Sequence, residues 1–327
     1  MTEQLDRDFL HRYSRHIKID QVGESGQRKL SSARVLVVGA GGLGSPALLY
    51  LAAAGVGTIG IIEFDSIELS NLQRQIIHSE GGVGTSKAAS AAARIAELNS
   101  TTIVEVFDRP ISRENALDVM SGFDLVVDGS DNFATRYLLN DACVLAGKPY
   151  IWGSVLRFDG QVSVFGLPGG PCYRCVYPSP PEPGSVPNCA DAGVFGAICG
   201  VIGSLQVSEA LKLILGVGET LSGRIAIFDA LSARIEEVSI ARDVHCPMCG
   251  DSPSITELQD YVAFCAGGTT DDTVTRSQLI GLLQARERGD VAFNFVDIRE
   301  RYELIHGQIP GAVNMPLSTF DPEALIG

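Results

Sequence analysis

Arg34-Val35-Leu36-Val37-Val38-Gly39-Ala40-Gly41-Gly42-Leu43-Gly44 is the stretch that decides how this chain is read. Arg34–Val38 is a short, β-branched run with the pattern of a buried strand. Gly39, Gly41 and Gly44 follow at once in the spacing G-x-G-x-x-G, and Ser45–Gly55 is Ala- and Leu-rich like a buried helix. A glycine turn between strand and helix suits a phosphate. Missing side chains let the backbone bend sharply and approach the anion, and the helix N-terminus favours negative charge. Outward from this unit, Thr58–Phe64, Thr101–Phe107 and Leu125–Asp128 have strand patterns, and Lys87–Leu98 is an Ala-rich helix. Such alternation predicts an α/β fold with a Rossmann-like, doubly wound, mostly parallel sheet.

Upstream, Leu5, Phe9, Leu10, Tyr13 and Ile17 recur at helical spacing and predict one helix over Met1–Leu30. Downstream, Tyr150–Leu156 and Gln161–Gly166 are expected to be neighbouring strands joined near Asp159-Gly160, and Pro168–Pro187 a long irregular segment. Val194–Leu215 has the composition of a buried helix, and Arg224–Phe228 with Arg234–Ile240 resembles a closing hairpin, an antiparallel extension of the sheet. The expected organisation is a nucleotide-binding domain over 1–250, a linker over 251–274, and a small α/β segment over 275–327. Within that segment Thr275–Gly289 predicts a helix and Ala292–Asp297 a strand.

The chain has 327 residues, 36 glycines and a net charge of −14. That charge argues against nucleic-acid binding, which needs a basic footprint. The start is charged throughout and resembles no signal peptide, and the sequence has no apolar run of the roughly 18 residues a membrane span needs. A cytoplasmic protein is expected, with its cysteines reduced and available for metal or catalysis.

The glycine turn alone suits NAD as well as ATP. Glu63, at the end of the second strand, is placed to accept from a ribose. The residues after it discriminate. Ser70-Asn71-Leu72-Gln73-Arg74-Gln75 follows Asp65, and the Arg74 guanidinium suits a phosphate. Lys87 opens a helix, where a cation opposes the dipole unless an anion binds nearby. Asp131 follows a strand whose end faces the same crevice, and its carboxylate can hold Mg²⁺ beside a triphosphate. Taken singly, Arg74 can be a surface ion pair, Lys87 a solvated side chain and Asp131 a helix cap. Together they fit a dinucleotide poorly.

Arg12-Tyr13-Ser14-Arg15, GAGGLG at 39–44, SNLQRQ at 70–75, Lys87 and DGSDN at 128–132 make the chain resemble the MoeB/ThiF family, bacterial relatives of ubiquitin-activating enzymes. The motifs occur in the family's order along essentially the whole chain. The resemblance implies an adenylyltransferase. It would use ATP and Mg²⁺ to adenylate the C-terminal Gly-Gly carboxylate of a ubiquitin-like sulfur carrier, releasing pyrophosphate. It also implies that Gly42, Glu63, Asn71, Arg74, Lys87, Asp131 and Asn132 line the nucleotide site, that Asp131 binds the metal, and that Arg15 reaches the γ-phosphate in a neighbouring subunit of a homodimer. Glu63 stands where Asp is more usual in the family, and His16 where Gln is common. The competing readings are an NAD-dependent oxidoreductase on the same fold and a zinc-stabilised, non-catalytic scaffold for a ubiquitin-like protein.

Cys172-x-x-Cys175 and Cys246-x-x-Cys249 form paired knuckles suited to tetrahedral Zn²⁺, and the MoeB branch carries this pattern as a structural site. Cys189 has no cysteine partner nearby in sequence, and the resemblance implies a covalent role in sulfur transfer. Cys143 and Cys199 are expected in the core, and Cys265 is assigned no role. Val296-Asp297-Ile298-Arg299-Glu300 and His306–Asn314 resemble the first part of a rhodanese domain. The persulfide-bearing loop of such a domain is missing, so 275–327 is expected to be poorly ordered or to continue in a longer natural protein.

Overall fold

A computed structural model describes residues 2–181, 192–265, 276–291, 293, 295–299, 304, 310–316 and 319. It divides into two units, Met1–Gly268 and Thr269–Gly327. In the first unit the expected N-terminal helix is broken into α1 (Thr2–Arg12), α2 (Ser14–Ile17) and α3 (Gly23–Ser32). Tyr13 causes the first break, with φ −98° and ψ 15°. Its buried hydroxyl accepts from Asn99 Nδ2 at 2.9 Å, and that amide also donates to Ala52 O. Docking Tyr13 into the body of the domain overrides the helical period. The helix then restarts at Gly23, which has φ +58°.

β1 (Arg34–Val38) lies between β2 (Thr58–Ile62) and β4 (Leu125–Asp128), parallel to both. β3 (Ile103–Phe107) extends the parallel set beyond β2, and β5 (Tyr150–Leu156) extends it beyond β4. β6 (Asp159–Phe165), β7 (Arg224–Asp229) and β8 (Arg234–Ser239) then continue antiparallel, giving the order β3-β2-β1-β4-β5-β6-β7-β8. The β5–β6 turn falls at Arg157-Phe158, two residues earlier than expected: Leu156 pairs with Asp159, and Arg157 takes φ +54°.

Both faces of β1, β2 and β4 are covered, which is why they read as apolar runs without alternation. Val35 and Val37 pack in one core with α4 (Gly44–Ala54), α5 (Lys87–Leu98) and α9 (Gly196–Leu215). Leu36 and Val38 pack in the other with α6 (Ala116–Ser121) and α7 (Phe133–Ala146). Among the described helices α9 alone is long and apolar enough to cross a membrane by length and composition. Its Ile198, Ile202, Val207 and Ala210 belong to the first core.

The first half of the expected linker is packed. The helix α10 (Tyr261–Cys265), preceded in chain order by the short α8 (Tyr173–Val176), sits on α7. The Tyr261 hydroxyl donates to Asp141 Oδ2 at 2.8 Å, and Phe264 meets the Tyr137 ring edge-on. An amphipathic segment this short carries too little periodicity to stand out from a Ser- and Pro-containing stretch. In the second unit, α11 (Arg276–Glu287) falls within the helix expected at 275–289. β9 (Val296–Asp297) pairs in parallel with β10 (Val313–Asn314), and Asn314 Nδ2 donates to Asp297 O and Arg299 O.

Candidate active site

β1 and β4 are sequence-distant neighbours, so the chain reverses its winding between them. Ligand crevices form at the carboxyl ends of strands at such a switch point. There the glycine turn follows β1, Glu63 and Asp65 follow β2, and Gly129–Asn132 follow β4. Gly39 takes φ +93°, and a Cβ there would stand 2.9 Å from Gly129 O. A Cβ at Gly44 would run into Gly39 O. Only glycine permits both the turn and the close approach of the β4 loop.

The cleft is lined by Gly39, Gly41, Gly42, Glu63, Asp65, Arg74, Gln75, Lys87, Asp131 and Asn132. Of the other expected nucleotide-site residues, Gly44, Ser70 and Asn71 are not part of this lining. Gly44 begins α4, Ser70 donates to Glu68, and Asn71 is buried with Oδ1 accepting from Glu68 N at 3.1 Å. Arg15 is exposed on α2 and does not line this chain's cleft. Cys189 falls outside the described residues.

Glu63 is buried and accepts three backbone amides, from Ala40 at 3.0 Å, Phe64 at 2.8 Å and Asp65 at 2.9 Å. A carboxylate has about four lone-pair sites, which leaves capacity for one ligand hydroxyl. Lys87 is buried at the start of α5 and its Nζ meets Asp65 Oδ2 at 3.2 Å. Asn132, not Asp131, caps α7, accepting from Thr135 N at 2.9 Å. The cap reading of Asp131 is thereby removed. Its exposed carboxylate has no hydrogen bond or ion pair among the described residues.

Three residues missed at the sequence level also shape the cleft. His78 is buried beneath the glycine turn, with Nε2 3.0 Å from Ala40 O and Nδ1 3.0 Å from Ser90 Oγ. A carbonyl can only accept, so Nε2 carries the proton, and in the neutral ring Nδ1 takes the Ser90 hydroxyl. Burial holds its pKa below the usual imidazole range, and the Lys87 charge lowers it further. Asp128 is fully buried, accepting from Ser130 N at 2.8 Å and from the Tyr150 hydroxyl at 2.5 Å, and burial pushes its carboxyl up. Arg136 is 7% exposed in the first turns of α7. A buried cation near a helix N-terminus was the signal read at Lys87 and passed over here.

Beside the cleft lies an aromatic groove of Phe133, Tyr137, Trp152, Tyr173 and Tyr177, which shares Asp131, Asn132 and Arg136 with it. Buried polar atoms without partners gather here: Gln75 Oε1, Ser130 Oγ and Arg136 Nε along the cleft, and Trp152 Nε1 in the groove. Buried polar atoms are ordinarily satisfied, so such a cluster marks where polar ligand atoms belong.

Away from the cleft, the two cysteine pairs converge. All four sulfurs lie within 4.8 Å of one another, with Cys172–Cys246 at 3.6 Å, Cys175–Cys249 at 3.4 Å and Cys172–Cys175 at 4.0 Å. A tetrahedral metal with metal–sulfur bonds of about 2.3 Å sets sulfurs roughly 3.8 Å apart, so the set fits zinc. Hydrogen bonds from neighbouring thiols hold Cys175 far below the usual thiol range, and the Asp243 amide donates to the same sulfur.

The ThiF family profile matches residues 13–248. Over 264 residues the chain is 50% identical to a sulfur carrier protein adenylyltransferase of Thermus thermophilus, covering 79% of this chain and 97% of that protein. It is 47% identical over 330 residues to the probable adenylyltransferase/sulfurtransferase MoeZ of Mycobacterium tuberculosis, covering 96% of this chain and 80% of the relative. Among solved structures, E. coli MccB with AMPCPP and MccA superposes with a TM-score of 0.65 at 25% identity, over 73% of this chain and 74% of that one. The shared sheet, the glycine turn at its switch point and these matches give one conclusion: the chain belongs to the ThiF family.

Proposed function

We propose that the protein adenylates the C-terminal carboxylate of a small sulfur carrier protein. A carboxylate oxygen attacks the α-phosphorus of ATP, the bond to the bridging oxygen breaks, and pyrophosphate leaves with its electron pair. The product is a mixed anhydride between carrier and AMP. The observation that carries this reading is the joining of a cation-bearing nucleotide cleft to an aromatic groove at Asp131 and Arg136. Such a junction lets a peptide end meet a nucleotide. The NAD reading gains nothing from this arrangement, since Lys87, Arg74 and a free Asp131 carboxylate have no task beside a dinucleotide.

In this reading the glycine turn cradles phosphates, Gln75 and the spare capacity of Glu63 receive the nucleoside, and Arg74 and Lys87 meet the triphosphate. Lys87 exchanges or shares its partner Asp65 when phosphate arrives. Asp131 would hold Mg²⁺, which would supply charge neutralisation to the triphosphate. No side-chain nucleophile is required at this stage; positioning and electrostatics do the work. Arg15, on the outer surface of α2, is assigned to the γ-phosphate in a second copy's cleft, making the active unit a homodimer. Cys189 is assigned the next step: its thiolate attacks the acyl carbon, a thioester forms and AMP leaves. Zn²⁺ held by Cys172, Cys175, Cys246 and Cys249 is structural. The second unit is read as the first part of a rhodanese-like domain.

Pyrophosphate release from ATP on adding a Gly-Gly-terminated carrier tests the reading. Release by the wild type should fall by at least about 100-fold in Asp131→Ala, the scale of losing one electrostatic group at a transition state. Equal release from both proteins would sink the role of Asp131, and none from the wild type would sink adenylation. Cys189→Ala should keep pyrophosphate release intact.

A further inference from the structure

Two of the four clustered cysteines belong to the segment that walls the aromatic groove. α8 is a single turn of four residues, Tyr173–Val176, with Cys172 before it and Cys175 within it. Cys172 and Cys175 place their sulfurs in the cluster. Tyr173 and Tyr177, from the same turn, line the groove, and Ser179 and Pro181 follow on its wall. Tyr173 is 1% exposed, its ring centroid 5.6 Å from that of Trp152 and 4.8 Å from that of Tyr177. Its side chain also bonds Arg136, where the groove opens into the cleft.

A four-residue helix has little stability of its own, so its place is set by what fastens it. One fastening is protein: the Tyr173 amide donates to Asn140 Oδ1 at 2.7 Å, and Arg174 forks onto Asp141. These bonds hold the turn against α7 with or without metal. The other fastening is the sulfur cluster. An ion that keeps four sulfurs at about 2.3 Å tolerates little rotation of a turn that supplies two of them. Rotating that turn would swing Tyr173 and Tyr177 out of the groove wall. None of residues 172–181 lines the nucleotide cleft, so a change in metal occupancy is felt first in the groove.

We infer that the four-cysteine site and the acceptor groove are coupled through α8: bound zinc sets the tyrosine wall that receives the carrier tail, and the seated tail holds the cysteines in their metal-binding arrangement. The coupling rests on the adenylation reading, which brings a carrier tail to the groove, and on the zinc reading of the sulfurs. It makes the metal a determinant of acceptor affinity as well as of stability. Coupling between two binding sites is reciprocal, so it can be read from either one.

The test starts from the zinc-loaded, full-length chain, so that it does not depend on the metal-free protein staying folded. Zinc affinity, measured against a competing chelator, should tighten about 10-fold when a Gly-Gly-ending carrier is added, within the ordinary range for coupled sites. The same carrier without its C-terminal tail should leave zinc affinity within about twofold. Equal tightening by both carriers would put the effect outside the groove and overturn the inference, as would a zinc affinity that neither carrier moves. Tyr173→Leu keeps all four cysteines but removes the ring that joins them to the groove, and the intact carrier should then no longer tighten zinc. Trp152 is the chain's one tryptophan and stands in the groove wall. Its emission should move to longer wavelength when zinc is stripped and return when zinc is restored; emission that ignores zinc would overturn the tyrosine wall. Pyrophosphate release by wild type separates the failures. With release present and no tightening, the coupling alone falls; with release absent, the adenylation reading falls and takes the coupling with it.

Discussion

At the scale of single residues, the candidate site divides into side chains that line the cleft and side chains that hold others in place. His78 belongs to the second kind: it ties the Ala40 carbonyl of the glycine turn to Ser90 of α5. Its folded pKa is depressed below the ordinary value of 6.5, so the unfolded chain takes up a proton that the native protein resists. Stability is therefore full above about pH 6.5 and is lost as pH falls from there through the folded value. Melting temperatures measured between pH 7.5 and pH 5 should show a smaller acid loss in His78→Gln than in wild type; identical slopes would deny the linkage. Sequence reasoning named residues that line one cleft but could not assign their bonds. Asp131 and Asn132 are adjacent, and only the structure shows that Asn132 takes the cap and frees Asp131. Glu63 reads as a ribose ligand, yet its oxygens are mostly engaged by backbone amides. His78 left no sequence signal, because a histidine in a loop is common and its partner lies 38 residues away.

At the scale of elements, α7 joins parts of the first unit that the sequence presents as separate. Its Asp141 receives Arg174 through two bonds of 2.8 Å each, and both side chains are at most 2% exposed. Arg174 sits between Cys172 and Cys175 on α8 and packs against the Tyr137 and Phe264 rings, each centroid 4.8 Å away. Tyr261 of α10 bonds the same carboxylate. Removing one partner strands a buried charge, which costs about 3–5 kcal/mol. Asp141→Ala should therefore lose that much stability in denaturant titration, while Asp251→Ala, which breaks an exposed pair with Arg242, should lose under about 1 kcal/mol. Comparable losses would contradict the burial argument. Strands and Ala-rich helices were legible because two covered faces impose apolar runs. The α10 segment was not, because five residues hold less than two helical turns.

At the scale of the molecule, the sheet order β3-β2-β1-β4-β5 follows from the alternation of strands and helices, and the antiparallel β5–β6 and β7–β8 pairings from the short hairpin links that join them. The four-cysteine set was legible as two spacings, and the intervening strands and helix do bring the two pairs together. Atomic spectroscopy of protein purified without added metal should find one zinc per chain in the first unit, and a strong chelator should lower the melting temperature. A metal-free chain with unchanged melting would remove the zinc assignment.

The sulfur cluster has a topological consequence. Cys172 and Cys246 are 74 positions apart, so a metal bound between them would tie the chain into a ring. By the statistics that describe a disulfide, closing a ring of about 75 residues removes roughly 4–5 kcal/mol of denatured-state entropy, less any strain. The ring encloses α9, whose Cys199 lines the nucleotide cleft and whose Gln206 donates to the Asp128 carbonyl. Four sulfurs closed on a metal would thus limit how far the floor of the candidate site can wander when the chain opens, and a reversible metal link could be remade where a broken disulfide would need an oxidant.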